Sequence, residues 1–374
     1  MATNLYFRRQ ALETLLGGKS VLDAPKLSVR DLEWANRFVE SYGYHWEDSE
    51  DQNLIYSYYR QAAAFLQTLF PEEEGKFPPE IFDANQLGDV RKLLVYASSR
   101  NPDLKNIQKW SCAMLKVMHV TFHLNSDLYA AFESDIRSQI LGPIKERIYQ
   151  DQVQNRVYLN SLTSDERVRI HKLEIKPKKN QTSAVIKLLA KRRLVAMNIL
   201  DRVGVRIVTR NTFDIFQSIR FLTNESLVCY PHAIVNESAN SVYPTNLFLE
   251  AMDGLRSKNM MASEKEINEV LEKKLVDHQE RAEYKDKDNV FTDANYKFVK
   301  FISRKLIRVK TEREGKKETI KFFYPFEVQI MDYPTYINNM RGPLSHEEYK
   351  KRQTRAARLR LLHLPDQGVS ETID

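Results

Sequence analysis

Two patterns of apolar residues divide the chain near residue 150. Before that point apolar residues recur every three to four positions, as in DLEWANRFVESY, NLIYSYYRQAAAFLQTLF and DLYAAFESDIRSQILGPIKERI. This spacing gives a helix one apolar stripe. Proline and glycine cluster between these stretches, for instance in PEEEGKFPPE. Residues 1–150 are therefore predicted to form an all-helical domain.

After the polar segment QDQVQNRVYLNSLTSDER, runs of β-branched residues alternate with helical segments. The predicted strands are VRIHKLEI, VGVRIVT, SLVCYPHAIV, YKFVKFISRKLIRVK and IKFFYPFEVQI. Because the last two flank Gly315, we expect an antiparallel hairpin. Helices are predicted at TSAVIKLLAKRRLVAMNILD, at TFDIFQSIRFL, in a charged insertion at about 258–286 and at EEYKKRQTRAARLRLLHL. The predicted fold class is α+β, with a mixed β-sheet flanked by helices over residues 151–362 and a tail at 363–374.

One predicted strand carries two polar side chains on a single face. In FEVQI, which begins at Phe326, three apolar residues alternate with Glu327 and Gln329. This period of two marks a strand with one buried face, so Glu327 and Gln329 point the same way. A carboxylate beside a carboxamide on the open face can hold a divalent cation and orient a hydroxyl. An edge strand with a polar outer face gives the same pattern.

A second candidate acid begins the segment DRVGVRIVT at Asp201. We expect Asp201 to close a helix and Gly204 to permit a tight entry into the next strand. Arg206 is expected on the face opposite the strand's apolar residues. An acid at the mouth of a sheet with an arginine nearby suits a metal-bound triphosphate.

Positive charge is concentrated in one part of the chain. The net charge is +7 overall, but residues 151–210 hold 14 Lys and Arg against 5 Asp and Glu, which gives 14 − 5 = +9. On the predicted helix in this segment, Ser183, Lys187 and Lys191 follow at one-turn intervals, so cations track one flank. This concentration favours a phosphate-rich ligand or RNA, although a solvated basic helix gives the same pattern.

Composition limits the class of protein. Charged residues make up 29% of the chain and apolar residues 42%, a balance typical of soluble globular proteins. No apolar run approaches the roughly 20 residues of a membrane span, and MATNLYFRRQ lacks a secretory core, so we expect a cytoplasmic protein without a membrane partner. Cys112 and Cys229 are expected to be buried thiols rather than a disulfide. His119 and His123, one helical turn apart, are expected to pack as a pair rather than to bind zinc.

Taken in this order, these segments resemble the synthetase domain of the RelA/SpoT family of alarmone synthetases over about residues 160–352. Members transfer pyrophosphate from ATP to the 3′ hydroxyl of GDP or GTP, which yields ppGpp or pppGpp, on a nucleotidyltransferase-like fold. The resemblance rests on a basic segment, Asp-x2-Gly-x-Arg, a tyrosine motif, Glu-x-Gln and His-x2-Tyr-Lys. The matching residues are Lys179, Ser183 and Lys187; Asp201, Gly204 and Arg206; Tyr296; Glu327 and Gln329; and His346, Tyr349 and Lys350.

The resemblance implies a role for each motif. Asp201 and Glu327 would hold Mg²⁺, and Glu327 would also assist the acceptor hydroxyl. Gln329 would position the acceptor, and Tyr296 would stack on its base. Lys179, Lys187 and Arg206 would neutralise the triphosphate of ATP. The other matched residues and Lys191 would also bind the nucleotides.

The sequence departs from the family at several of these positions. Pro177 stands where the family has a phosphate-binding arginine, a role that Lys176 or Lys178 can take. Around the tyrosine, Asn295 stands where the family has glycine and Lys300 where it has histidine. After Glu-x-Gln, Met331 and Asp332 stand where the family has Arg-Thr. Because Lys300 adds positive charge where phosphates would lie, the acceptor is expected to be an RNA such as tRNA rather than free GDP or GTP.

The sequence thus predicts magnesium-dependent transfer of pyrophosphate from ATP to the hydroxyl of a nucleotide or RNA. The alternative is a non-catalytic, degenerate synthetase fold that binds nucleotides or RNA as a regulatory protein. The discriminating feature is the pair Asp201 and Glu327, because RNA binding alone gives no reason to place two carboxylates in a basic cleft.

Overall fold

The computed structural model describes residues 14–16, 20–23, 27–126, 128–177, 180–191, 199–258, 262–285, 293, 295–313, 316–341 and 344–362. These residues fall into two compact units. The helical unit lies within residues 1–127, 180–198 and 351–374, and the sheet unit within residues 128–179 and 199–350. This division differs from the predicted boundary at residue 150, because the helix just before that residue packs on the sheet.

The described residues form thirteen α-helices and several short 3-10 turns. The helices are α1 (Leu32–Ser41), α2 (Ser49–Leu69), α3 (Pro79–Phe82), α4 (Ala84–Leu87), α5 (Lys92–Ala97), α6 (Lys105–Asn125), α7 (Leu128–Lys145), α8 (Gln181–Ala190), α9 (Thr212–Asn224), α10 (Thr245–Ser257), α11 (Glu264–Asp277), α12 (Tyr333–Asn339) and α13 (His346–Leu362). Side chains at Asp31, Asp48 and Asn180 cap the first turns of α1, α2 and α8, which satisfies backbone N–H groups there. The charged insertion is helical as predicted, and Ser263 and Glu266 form a capping box at the start of α11.

A seven-stranded mixed sheet forms the centre of the sheet unit. Its strands are β1 (Ile148–Asp151), β2 (Arg156–Asn160), β3 (Arg167–Ile175), β4 (Gly204–Thr209), β5 (Ala239–Asn240), β6 (Val299–Arg313) and β7 (Lys316–Asp332), in the spatial order β1-β2-β3-β4-β7-β6-β5. The pair β4 and β7 is parallel, and the other pairs are antiparallel. The predicted hairpin and the predicted α+β class, with a mixed sheet flanked by helices, are therefore confirmed.

One face of the sheet is apolar and is covered by two helices. α7 packs on β6, and α9 packs on β3 and β7. The fully buried residues of this core include Ile136, Ile140 and Ile144 of α7, Ile215, Phe221 and Leu222 of α9, and Val205, Ile207, Val328 and Ile330 of the strands. Because strand side chains alternate, the residues between these strand positions lie on the opposite face.

Several predicted elements are wrong. SLVCYPHAIV forms no strand: it contains the 3-10 turn Tyr230–His232, where Pro231 lacks the backbone N–H that a strand ladder needs. Two strands were not predicted: β1 begins at Ile148, inside the predicted helical domain, and β2 lies in the polar segment after residue 150. The described part of the predicted basic helix, α8, ends at Ala190, and Asp201 lies in a turn; the rest of the prediction, at 192–198, lies outside the described residues.

Two further expectations concern cysteines and membranes. Cys112 and Cys229 are free thiols, but Cys229 is exposed and Cys112 is partly exposed, so neither is the buried thiol that was expected. No helix in the described part of the chain is long and apolar enough to cross a membrane.

Candidate functional site

The parallel pairing of β4 with β7 joins the two segments that carry the candidate acids. Gly204 lies opposite Glu327, and Arg206 lies opposite Gln329. The Glu327 N–H donates to the Val203 carbonyl oxygen at 2.9 Å, so the pairing continues one residue towards Asp201. A Cβ on Gly204 would stand 2.7 Å from the Glu327 carbonyl oxygen. Glycine is therefore needed at 204 because the two backbones approach so closely.

A polar row crosses four adjacent strands on the face opposite the apolar core. Glu174, Arg206, Gln329 and Lys300 are register partners on β3, β4, β7 and β6. Arg206 Nε donates to Gln329 Oε1 at 2.9 Å, and Arg206 Nη1 donates to Glu174 Oε2 at 3.1 Å. The guanidinium is thus held in a fixed orientation by an amide on one side and a carboxylate on the other.

Glu174 is the point where this row meets a second group of polar residues. Lys172 Nζ lies 2.6 Å from Glu174 Oε1, and the Tyr336 hydroxyl donates to the same oxygen at 3.0 Å. Burial opposes ionisation of Glu174, but the hydrogen bonds from Lys172 and Tyr336 and the charge of Arg206 hold its pKa below its usual range. Glu174 is therefore a fixed anion at neutral pH.

Glu327 is a buried carboxylate with two ammonium groups nearby. Its Oε1 forms an ion pair with Lys176, and Lys300 Nζ lies 3.9 Å from its Oε2. Lys300 Nζ is also 3.8 Å from a carboxylate oxygen of Glu237. The Glu327 side chain is only 7% exposed, and burial of an unpaired carboxylate costs free energy. The positive charges of the two lysines compensate this cost.

The prediction that Glu327 and Gln329 share a face is confirmed, but the prediction of an open face is wrong. The two residues are only 5% and 6% exposed, and Lys300 is 8% exposed. The alternation in FEVQI reports which side chains share a face, and it carries no information on what covers that face.

The predicted triphosphate-binding residues of the basic segment lie in the helical unit or outside the described residues. Ser183 and Lys187 stand one turn apart on α8, and both are half-buried. Lys191 is the C-cap of α8 with extended backbone angles, so it does not continue the helical row as predicted. Lys179 lies outside the described residues.

The predicted acceptor residues stand at two places in the chain. Tyr296 is half-buried just before β6, where its ring lies 5.7 Å from that of Phe298. Tyr349 and Lys350 lie in the first turns of α13, which begins at His346. The predicted base-stacking role of Tyr296 therefore stays a prediction.

Several residues of the polar face were not among the predicted site residues. Lys172 and Glu174 alternate with Leu173 and Ile175 in VRIHKLEI, which indicates a polar face for the second half of this strand. The register shift between Ile170 and Lys172 reverses the faces of the first half, so a single period for the whole strand would have misplaced them. Tyr336 reaches the row from α12, and no local pattern points to it. Lys176, which was named only as a possible substitute for Pro177, contacts Glu327 directly.

The carboxylates supply few metal ligands by themselves. Among the described residues, no group of three or more His, Cys, Asp or Glu side chains is arranged to hold a metal ion. Asp201 is half-buried in the turn before β4, and its segment runs beside that of Glu327. The sequence matches no protein-family model and no curated protein.

Proposed function

We propose that the polar face of the sheet is a nucleotidyltransferase-like site that transfers pyrophosphate from ATP to a hydroxyl of a nucleotide or RNA. The observation that supports this most strongly is the pairing of β4 with β7. It sets the strand after Asp201 beside Glu327 and holds Arg206 and Gln329 next to one another. In a phosphoryl transfer of this kind, most of the rate comes from positioning and charge neutralisation.

The cations on this face fit a polyphosphate. Lys176, Arg206 and Lys300 all reach the polar face, and each now contacts a carboxylate or an amide of the protein. Lysine side chains are flexible point charges, and the arginine is a planar fork. Entry of a triphosphate offers these groups stronger anionic partners, and it releases Glu327 to face the acceptor hydroxyl.

The donor set also fits a magnesium ion that arrives with the nucleotide. Mg²⁺ is commonly held by one or two carboxylates, with phosphate and water oxygens completing the octahedron. Asp201 and Glu327 would be those carboxylates, and the ion would supply charge neutralisation at the phosphates. In the described structure the Lys176 ammonium pairs with the Glu327 carboxylate, so under this proposal the ion pair separates before Glu327 binds Mg²⁺.

The remaining steps use residues of the chain itself. Gln329, whose oxygen accepts from Arg206, has its amide N–H groups to orient an acceptor oxygen. Glu327, as a carboxylate, accepts the proton of the attacking hydroxyl. The acceptor oxygen forms a bond to the β-phosphorus of ATP, the bond to the α,β-bridging oxygen breaks, and AMP leaves.

A transfer assay tests this proposal. ATP labelled in its β or γ phosphate is incubated with Mg²⁺ and with GDP, GTP or deacylated tRNA, and the labelled acceptor is separated. We expect label on at least one acceptor and a loss of about 100-fold or more in Glu327→Gln. Glu318→Gln, an exposed acid on the same strand, serves as the matched control and should keep full activity. Absence of transfer to all three acceptors would contradict the proposal.

A second candidate function, RNA binding without transfer, is favoured by the far end of the β6–β7 hairpin. Register places Leu306, Arg308, Lys310, Lys317, Lys321 and Phe323 on the same face as Glu327, together with Arg304, Glu312, Thr319 and Pro325. Five of these ten residues are cations, all exposed, and one is an acid. The other face of the hairpin packs against α7 through Phe322 and Tyr324, so the cationic face is the outer one.

Two details of this outer face suit a single-stranded nucleic acid. Arg308 and Lys321 are direct cross-strand partners, and like charges in such a pair destabilise a hairpin. Phe323 is 46% exposed, and the Arg304 guanidinium lies 5.7 Å from its ring centre. Exposed aromatic rings beside cations are the surfaces on which unpaired bases stack.

Fluorescence anisotropy with a labelled single-stranded RNA tests this second function. We expect binding that weakens steeply with salt, and each cation replaced at Arg308 or Lys321 should lower the salt slope by about 0.7. Phe323→Ala should weaken binding by roughly tenfold or more with little change in that slope. Tight RNA binding together with no transfer in the previous assay would favour this function over the first. Binding that Arg308→Ala and Lys321→Ala leave unchanged would exclude the hairpin as the RNA surface.

A further inference from the structure

The helical unit contains a cavity of about 180 Å³ that takes no part in the proposed function. Its wall is formed by α1, α2, α5 and α6 and by the turn Val21–Asp23. From α6 come Cys112, Leu115, Lys116, His119 and Phe122, whose spacing of three and four places them on one face of that helix. Apolar cavities of roughly 150 Å³ accept a molecule such as benzene, so this one has room for an aromatic ligand.

Aromatic rings make up much of the wall. Tyr42, Tyr44 and Tyr58 each pack edge to face against Phe122, with ring centres 5.6 to 6.0 Å apart. Phe38 completes this group. Rings arranged in this way offer edges and faces to another flat ring, which is the geometry that aromatic pairs prefer.

Two of the polar groups in the wall satisfy one another without net charge. The Tyr42 hydroxyl and His119 Nδ1 are 2.9 Å apart. Burial, with a smaller effect of His123, lowers the pKa of His119 to about 4, and burial raises the pKa of Tyr42 to about 12. Both side chains are therefore neutral at pH 7, and their hydrogen bond can orient a polar ligand atom.

Lys116 adds positive charge to this wall. Its Nζ donates to the Arg360 carbonyl oxygen at 2.8 Å, and burial lowers its pKa. The charges of Cys112 and Asp23 raise this pKa and the charge of Arg360 lowers it, while Asp23 and Arg360 form two hydrogen bonds of 2.7 Å with each other. Arg91, another cation in the wall, is paired with Asp89 at 2.8 Å. Because burial is the largest effect and disfavours the charged form of Lys116, an anion placed beside it stabilises the ammonium.

We infer that this cavity is a binding site for a small aromatic carboxylate of one or two rings. The rings lie among the wall's aromatic side chains, and the carboxylate pairs with Lys116. The site belongs to the helical unit alone, so this inference is independent of the chemistry on the sheet. Ligands of this class stabilise the helical unit by mass action when they bind its folded form.

A pair of matched probes tests the inference on the full chain. 1-Naphthoate and 1-naphthalenemethanol share the ring system and differ in charge, and each is titrated by calorimetry. We expect saturable binding of naphthoate with an affinity at least about tenfold higher than that of the alcohol, because hydrogen bonds to charged groups are the stronger ones. In Lys116→Met, which keeps a long apolar side chain, this preference should disappear while the alcohol still binds. Retained binding of the alcohol shows at the same time that the variant is folded.

Two further variants complete the design. Lys105→Met, on the exposed start of the same helix, is the matched charge control and should keep the preference. Cys112→Phe fills part of the cavity and should abolish binding of both probes while the circular dichroism spectrum stays helical. Equal affinity of the wild-type chain for acid and alcohol, no saturable binding of naphthoate, or undiminished binding in Cys112→Phe would each overturn the inference.

Discussion

The inner part of the β6–β7 hairpin, around Glu327, and its outer part, around Arg308, carry polar side chains on the same face but differ in burial. At the inner part, Glu327, Gln329 and Lys300 are buried and make fixed contacts with Lys176 and Arg206. At the outer part, five exposed cations share the face with one acid, and two of them, Arg308 and Lys321, stand directly opposite one another. Alternation therefore sets the face of a side chain, whereas burial decides whether its charge is already paired within the protein or is exposed to solvent.

The largest difference between the two parts should appear in stability. Glu327→Ala removes a buried carboxylate and leaves the Lys176 and Lys300 charges without it, which should lower the free energy of unfolding by about 3 kcal/mol. Glu318→Ala, on the exposed outer part, should change it by less than about 0.5 kcal/mol. Urea denaturation of both variants measures this. Equal changes in the two variants would show that the Glu327 carboxylate contributes no more to the free energy of unfolding than an exposed acid does.

The close approach of β4 and β7 is tested by two glycine substitutions. Gly204→Ala places a Cβ 2.7 Å from the Glu327 carbonyl oxygen, so we expect a loss of about 1–3 kcal/mol. Gly254→Ala, on exposed α10 with no atom within 4 Å, should instead stabilise the chain by about 0.5–1 kcal/mol. Thermal unfolding distinguishes the signs. A Gly204→Ala variant as stable as the wild type would contradict the described strand pairing.

The outer part should be slightly more stable once its repulsion is removed. Lys321→Glu places a carboxylate opposite Arg308 and should raise the free energy of unfolding by about 0.2–1 kcal/mol. The same change should weaken RNA binding, because it removes one cation and adds an anion. Lys321→Gln should give a smaller change in the same direction on both readouts. A gain in stability without any loss of RNA affinity would show that the Arg308–Lys321 pair does not contribute to RNA binding.

The smallest expected effect concerns the pH dependence contributed by Glu174. Its folded-state pKa lies below the ordinary value of 4.5, so its contribution to stability is present above that pH and is lost as the pH falls through the folded pKa. Glu174→Gln should therefore be less stable than the wild type at neutral pH, and the difference should shrink in acid. Urea titrations at pH 7 and at pH 3 measure this change. A difference that is the same at both pH values would contradict the ionised state assigned to Glu174.

The strands of the site could be predicted from the sequence because their local patterns are strong. FEVQI and VGVRIVT alternate with period two, and they correctly separated Glu327, Gln329 and Arg206 from the apolar face. VRIHKLEI does not keep this period, because its register shifts between Ile170 and Lys172. The hairpin followed from two long apolar runs that flank a glycine. Local patterns of this kind describe a strand and its faces.

Long-range pairing could not be predicted in the same way. The local pattern of DRVGVRIVT does not predict that β4 pairs in parallel with β7. Likewise, KPKKN does not predict that Lys176 contacts Glu327. SLVCYPHAIV resembled a strand by composition, but its proline and its place in the fold produced turns. The burial of Glu327 depends on tertiary packing, so the pentad alone predicted an open face.

Calorimetric titration with a non-hydrolysable ATP analogue and Mg²⁺ tests the central claim, that the inner polar face holds the nucleotide, most directly. Three chains are compared at low salt: the wild type, Arg206→Gln on the inner part and Arg308→Gln on the outer part. The wild type and Arg308→Gln should bind the analogue equally, and Arg206→Gln should bind it at least about tenfold more weakly, since it loses a charge-assisted contact to phosphate. Binding that Arg206→Gln leaves intact, or that Arg308→Gln abolishes, would contradict the account.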